Sequence, residues 1–173
     1  MKPKPIVVIQ GASGPDQVPG IAAIADQAEL RFADSARALA DALPGARILL
    51  GWSFNEAGLR EVWSCAEELR WIHWTGAGVD AVLFEELVES DVILTNSRGI
   101  FDRAMAEYVL GLILAFAKGF QQTFRDQADK RWRHRLGEMV LGRRALIVGV
   151  GSIGREIARL LARAGLHVEG VRC

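Results

Sequence analysis

Apolar residues in this chain arrive in short runs, and between the runs they recur at every third or fourth position. The runs at 5–9, 29–32, 46–50, 71–74 and 92–96 read as strands, and the stretches at 20–27, 35–42, 56–68 and 84–89 read as helices. Strands alternating with helices predict a parallel sheet covered on its faces, here an α/β layer of five strands with flavodoxin-like character. Local punctuation fits this order. Asp34 stands where it can cap the helix starting at Ser35, Pro44-Gly45 closes that helix, and Asn55 can cap the next one.

After Arg98-Gly99 the period lengthens. Residues 101–120 predict one long helix whose stretch 109–116 is apolar nearly all round, a pattern that requires burial on more than one side. It reads either as a core helix between layers or as a helix between two domains that also meets a partner subunit. From 121 to 135 the chain turns polar and basic, as a solvated connecting segment does; Leu141-Gly142 breaks it, and Arg143-Arg144 lead into the next apolar run.

That run, Ala145-Leu146-Ile147-Val148, ends in Gly149-Val150-Gly151-Ser152-Ile153-Gly154, with glycines at the G-x-G-x-x-G spacing where a strand turns into a helix. Gly149 permits the tight turn, Gly151 keeps side-chain atoms away from a pyrophosphate, and Gly154 lets the helix lie close against the strand. The ligand's negative charge then meets free N–H groups and the positive end of a helix beginning near Ile153. That helix, 153–164, carries Ile157, Leu160, Leu161 and Ala164 on one face; Gly165 ends it, and a second strand at 166–171 follows. Glycine spacing alone is also compatible with a plain tight turn, but strand, turn, helix and strand in this order make a β-α-β unit suited to a dinucleotide.

Composition narrows the function classes. The 173 residues carry 21 basic and 21 acidic side chains, so no net field draws the protein toward nucleic acid or an anionic membrane. Lys130-Arg131-Trp132-Arg133-His134-Arg135 interleaves an aromatic with cations, as single-strand binders do, yet the zero net charge favours the solvated segment. Half of the residues are hydrophobic, which argues against disorder. The apolar run at 6–10 is too short for the core of a secretory signal, and 109–117 is too short to cross a bilayer, so the expected compartment is the cytoplasm. Cys65 and Cys173 lack metal-ligand spacing and read as free thiols; no metal site is expected.

Thr75-Gly76-Ala77-Gly78-Val79-Asp80 comes directly after the strand at 71–74, at the carboxyl end where open α/β sheets bind ligands. Small residues leave main-chain N–H groups accessible, so the amides of Ala77 and Gly78 could hold a carboxylate. The other reading is a strand-to-helix turn in which Asp80 caps the next segment. Trp52, Trp63 and Tyr108 read as core or rim aromatics, Glu85-Glu86 as a wet helix face, and His73 as a packed histidine within a strand.

Taken in order, Thr75–Asp80, Thr95-Asn96-Ser97-Arg98-Gly99, Ala104-Met105-Ala106-Glu107-Tyr108, Trp132, and Leu141-Gly142 running into Gly149–Gly154 resemble the D-isomer-specific 2-hydroxyacid dehydrogenases. The resemblance covers essentially the whole chain. It implies a flavodoxin-like substrate domain at 1–99, then a connecting helix and the first β-α-β unit of a Rossmann-type NAD(P)-binding domain at 100–173, with the active site between them. It further implies hydride transfer to a small 2-keto acid such as glyoxylate or hydroxypyruvate, and a homo-oligomer. Ala77 and Gly78 then hold the substrate carboxylate, Met105 lies near the nicotinamide, and Ser152-Ile153 lie over the pyrophosphate.

Three departures stand out. Tyr108 replaces the usual histidine, a change expected to alter packing rather than chemistry. Arg172 stands where NAD-using members carry an acidic residue, which suits a 2′-phosphate and tilts the expectation from NAD to NADP, unless Arg172 merely points to solvent. The family's catalytic arginine, histidine and carboxylate are expected beyond Cys173, and none of His73, His134 or His167 fits the pattern of the acid–base histidine. The chain alone is therefore expected to be inactive. The alternative is a non-catalytic binding or self-association module on the same scaffold. In either case the glycine-turn unit should expose apolar surface, covered by another copy or poorly ordered.

Overall fold

The computed structural model describes residues 3–53 and 58–172. The chain divides into two compact units, Met1–Arg98 and Gly99–Cys173.

In the first unit, β1 (Ile6–Gln10), β2 (Glu29–Ala33), β3 (Ala46–Gly51), β4 (Trp71–Trp74) and β5 (Ile93–Asn96) form a parallel sheet in the order β2-β1-β3-β4-β5. Side chains alternate between its faces, so Val8 enters one apolar cluster with Leu49, Ile72, Leu39 and Leu69, while Val7 and Ile9 enter another with Val18 and Ile21. Because both faces of β1 are covered, its sequence is a continuous apolar run rather than an alternating one. Leu49 and Ile72 lie side by side in the β3–β4 register, both fully buried.

The helices of this unit are shorter than the sequence pattern suggested. Only α1 (Ala36–Ala42) keeps the expected extent, and its cap is Ser35, whose Oγ accepts from the Ala38 amide at 3.3 Å, rather than Asp34. The helix expected at 20–27 is a single 3₁₀ turn, Ile21–Ile24, entered through Gly20 with φ +82°. Among the described residues of the helix expected at 56–68, only the 3₁₀ turn Trp63–Cys65 forms; Gly58 at φ +77° is incompatible with a helix there, and the Asn55 cap lies outside the described residues. The last is one turn, α2 (Glu85–Val88).

In the second unit, α3 (Asp102–Lys118) and α4 (Phe120–Ala128) replace the single helix expected at 101–120. Gly119 adopts φ +63°, ends α3 in a left-handed cap and turns the chain by 64°. The polar segment thus begins as a helix and only later becomes irregular. β6 (Arg144–Val148), α5 (Ser152–Arg163) and β7 (His167–Val171) complete the unit, with β6 and β7 in parallel register from Arg144↔His167 to Val148↔Val171. Within this chain α3 is left largely exposed. Ala106 is its one fully buried residue, Phe116 is 81% exposed, and an apolar cavity of about 700 Å³ is lined by Val109, Ile113, Ile147, Ile157 and Leu161. Exposed apolar surface also appears on the outer face of the two strands, where Leu146 and Val148 are 64% and 71% exposed. Among the described residues, no single helix is long and apolar enough to cross a membrane.

One buried charge closes the irregular segment onto α4. Asp126, only 4% exposed, accepts from Arg135 and, at 3.2 Å, from the Gln122 amide. The Arg135 guanidinium holds the Asp126 carboxyl below the usual carboxylate range, against the upward push of burial. A carboxyl lowered in the folded state stabilises the fold above the unfolded value of about 3.9 and loses that contribution as pH falls through the folded value. Thermal unfolding of wild type and Asp126→Asn across pH 2–7 should therefore show a wild-type advantage at neutral pH that closes below about pH 4. An advantage independent of pH would contradict the pairing.

Candidate functional site

The glycine turn is built by contacts that exclude side chains in one place and leave room in another. Gly149 takes φ +96°, and its amide donates to the Val171 carbonyl at 2.8 Å, continuing the β6–β7 ladder by one rung. A Cβ on Gly154 would lie 2.1 Å from the Gly149 carbonyl oxygen and 3.5 Å from Ile147 Cγ2, so α5 can approach β6 this closely only without one. A Cβ on Gly151 would meet nothing within 4 Å. Gly151 is the N-cap of α5 and offers no side-chain cap. Among the described residues, the amides of Ser152, Ile153 and Gly154 have no acceptor, and α5 starts at Ser152, one residue before the expected Ile153. Unpaired donors, the positive end of the helix dipole and an open approach at Gly151 fit the diphosphate of a dinucleotide.

Arg172 follows directly on Val171, the β7 residue that bonds Gly149, so its exposed side chain belongs to the same strand end as the turn. Met105 lies in the first turn of α3, exposed, with its amide donating to the Phe101 carbonyl at 2.9 Å. One residue of that turn reaches the glycine turn: Asp102 accepts from the Ser152 hydroxyl. Sequence reasoning missed this contact. The only signal was an acidic residue at the start of a helix, and its partner is 50 positions away.

Ala77 and Gly78 belong to the first unit. Trp74 shapes their loop, since a Cβ on Gly51 would fall 2.2 Å from its ring and one on Gly76 2.9 Å from its Nε1. The loop's carbonyls are occupied: Gly76 O accepts from the Ser97 amide at 3.1 Å, and Ala77 O from Asn96 Nδ2 at 2.8 Å. Its amides are not. Among the described residues, those of Ala77 and Gly78 have no acceptor, and Gly78 is exposed. With the backbone pinned through its oxygens, the N–H groups are presented to solvent in a fixed arrangement able to receive a carboxylate. Asp80 does not cap a helix as the other reading required; 79–83 forms a turn through Val82 and Leu83 amides on the Val79 carbonyl, and no hydrogen bond from Asp80 occurs among the described residues.

His73 is held on both sides, with Nδ1 2.9 Å from Thr95 Oγ1 and Nε2 3.3 Å from Ser97 Oγ. His134 and His167 are exposed. In the basic segment, Arg135 is committed to Asp126 and Arg131 to Asp129, while Trp132 is 93% exposed.

A parallel α/β fold carrying an uncapped glycine turn defines a Rossmann-like nucleotide-binding protein. Residues 110–172 match the model of the "D-isomer specific 2-hydroxyacid dehydrogenase, NAD binding domain". Members of the family that this model describes are NAD-dependent oxidoreductases. The chain is 28% identical over 168 residues to D-3-phosphoglycerate dehydrogenase of Mycobacterium tuberculosis, covering 95% of this chain and 31% of that protein. A D-isomer specific 2-hydroxyacid dehydrogenase family protein from Aeromonas salmonicida superposes with a TM-score of 0.76 at 27% identity, over 96% of this chain and 53% of that one. The enzyme of this family from Xanthobacter autotrophicus Py2, solved with NADPH and MES, superposes at 0.67 and 23% identity over 97% and 53%. The chain thus spans about a third of the curated relative and about half of each solved one. The matched model is that of an NAD-binding domain, and the Xanthobacter structure was solved with NADPH.

The two inner glycines separate packing from ligand access. Gly154→Ala should destabilise the second unit by about 1–3 kcal/mol through overpacking, whereas Gly151→Ala should leave thermal unfolding unchanged. Equal losses for the two variants would contradict this geometry.

Proposed function

We propose that this chain carries the substrate-carboxylate loop and the diphosphate cradle of an NAD(P)-dependent oxidoreductase that reduces a small 2-keto acid, of the size of glyoxylate or hydroxypyruvate. The observation that carries the reading is the set of unpaired amides at Ser152, Ile153 and Gly154 beside the open Gly151. The fixed, unpaired amides of Ala77 and Gly78 support it on the substrate side. When bound, the nicotinamide supplies the hydride.

The chain's own residues bind and orient. Gly149, Gly151, Ser152, Ile153 and Gly154 hold the diphosphate, Met105 borders the nicotinamide, and Ala77 and Gly78 hold the acid. Arg172, an exposed cation at the β7 end, favours a 2′-phosphate and hence NADP over NAD. The protein works in the cytoplasm as a homo-oligomer, and the exposed Leu146, Val148 and Val171 on the outer face of β6 and β7 support self-association. That same face favours a second reading, a non-catalytic module that binds ligand and pairs with itself.

Fluorescence titration of the purified chain with NADPH and NADH tests the proposal. The expected result is tighter binding of NADPH, with Arg172→Glu lowering its affinity about tenfold and removing the preference, a loss of about 1.4 kcal/mol. Absence of binding to either would overturn the reading.

A further inference from the structure

The carboxylate of Asp102 sits at the first residue of α3 and, through Ser152, against the first residue of α5. It therefore lies at the positive ends of two helices at once. No cation neutralises it among the described residues. Arg103, its neighbour in sequence, is turned away, with Nε 2.6 Å from Glu107 and Nη1 3.5 Å from Glu156, and Glu156 is held in turn by Arg159 at 3.1 Å.

Ser152 has a single hydroxyl proton, and it is given to Asp102. Its remaining lone pairs can only accept, so in this state the hydroxyl offers nothing to a phosphate oxygen. The same carboxylate places a negative charge next to amides that a diphosphate would use. Both effects act in one direction.

We infer that Asp102 is a built-in anion that competes with the dinucleotide's diphosphate for the amino end of α5 and so sets cofactor affinity. This rests on the dinucleotide reading of the glycine turn. Binding requires the Ser152 hydroxyl to turn from the carboxylate to the ligand, and the charge that stays behind weakens the complex. An affinity kept moderate in this way suits a cofactor that must leave after each turnover.

Asp102→Asn keeps the shape and the acceptor but removes the charge; Asp102→Ser removes the charge and draws the remaining acceptor back from Ser152. In titrations of the full chain, both should bind NADPH about tenfold more tightly than wild type at low ionic strength, with the gap narrowing as salt screens the repulsion. Adenosine, which carries no phosphate, should bind all three alike. Variants that bind NADPH no more tightly than wild type, or that gain equally for adenosine, would overturn the inference while leaving the dinucleotide reading in place. NADPH binding by none of the three would overturn both.

Discussion

The contact between Gly154 and the Gly149 carbonyl governs the second unit. With 2.1 Å between that oxygen and the position of a Cβ, the first turn of α5 rests on the end of β6 at backbone distance. This approach aims the helix's unpaired N–H groups along the strand end, where Gly149 is also tied to β7. In the first unit, bare glycine backbone at Gly51 and Gly76 makes room for the Trp74 ring, and that packing sets the path of the 75–78 loop. Each unit presents main-chain donors at a strand end because a side chain is missing nearby. The chemistry such donors can do is recognition of anions, by geometry more than by net charge, which is zero over the chain.

Much of this was legible in the sequence. The strand at Trp71–Trp74 has the expected limits, the others lie within a residue of them, and the five-stranded parallel layer follows from their alternation with helical patterns. The glycine turn was legible for a stronger reason: its spacing, its strand and its helix are requirements of a single geometry. Helix extent was less so. Gly20, Gly58 and Gly119 take positive φ and stop or shorten helices that apolar periodicity would extend, and periodicity carries no information on φ. The cap moved by one residue, from Asp34 to Ser35, because both side chains suit the role and only the backbone path decides. Pairs such as Asp102 with Ser152 and Asp126 with Arg135 were invisible, since their partners meet only after the chain has folded.

The family match and the geometry bear on different parts of the chain. The family match over 110–172 concerns the unit that holds the glycine turn, and the solved relatives extend the likeness in fold over nearly the whole chain. Arg172 and Asp102 are properties of this chain. One is an exposed cation at the end of β7, and the other an anion bonded to Ser152 in the first turn of α5.

The most direct test is a backbone amide NMR titration of the ¹⁵N-labelled chain with NADPH. The largest shifts are expected on residues 149–155, with Arg172 following and the strands of the first unit unmoved. Shifts scattered over the surface, or none at the glycine turn at saturating ligand, would contradict the dinucleotide reading.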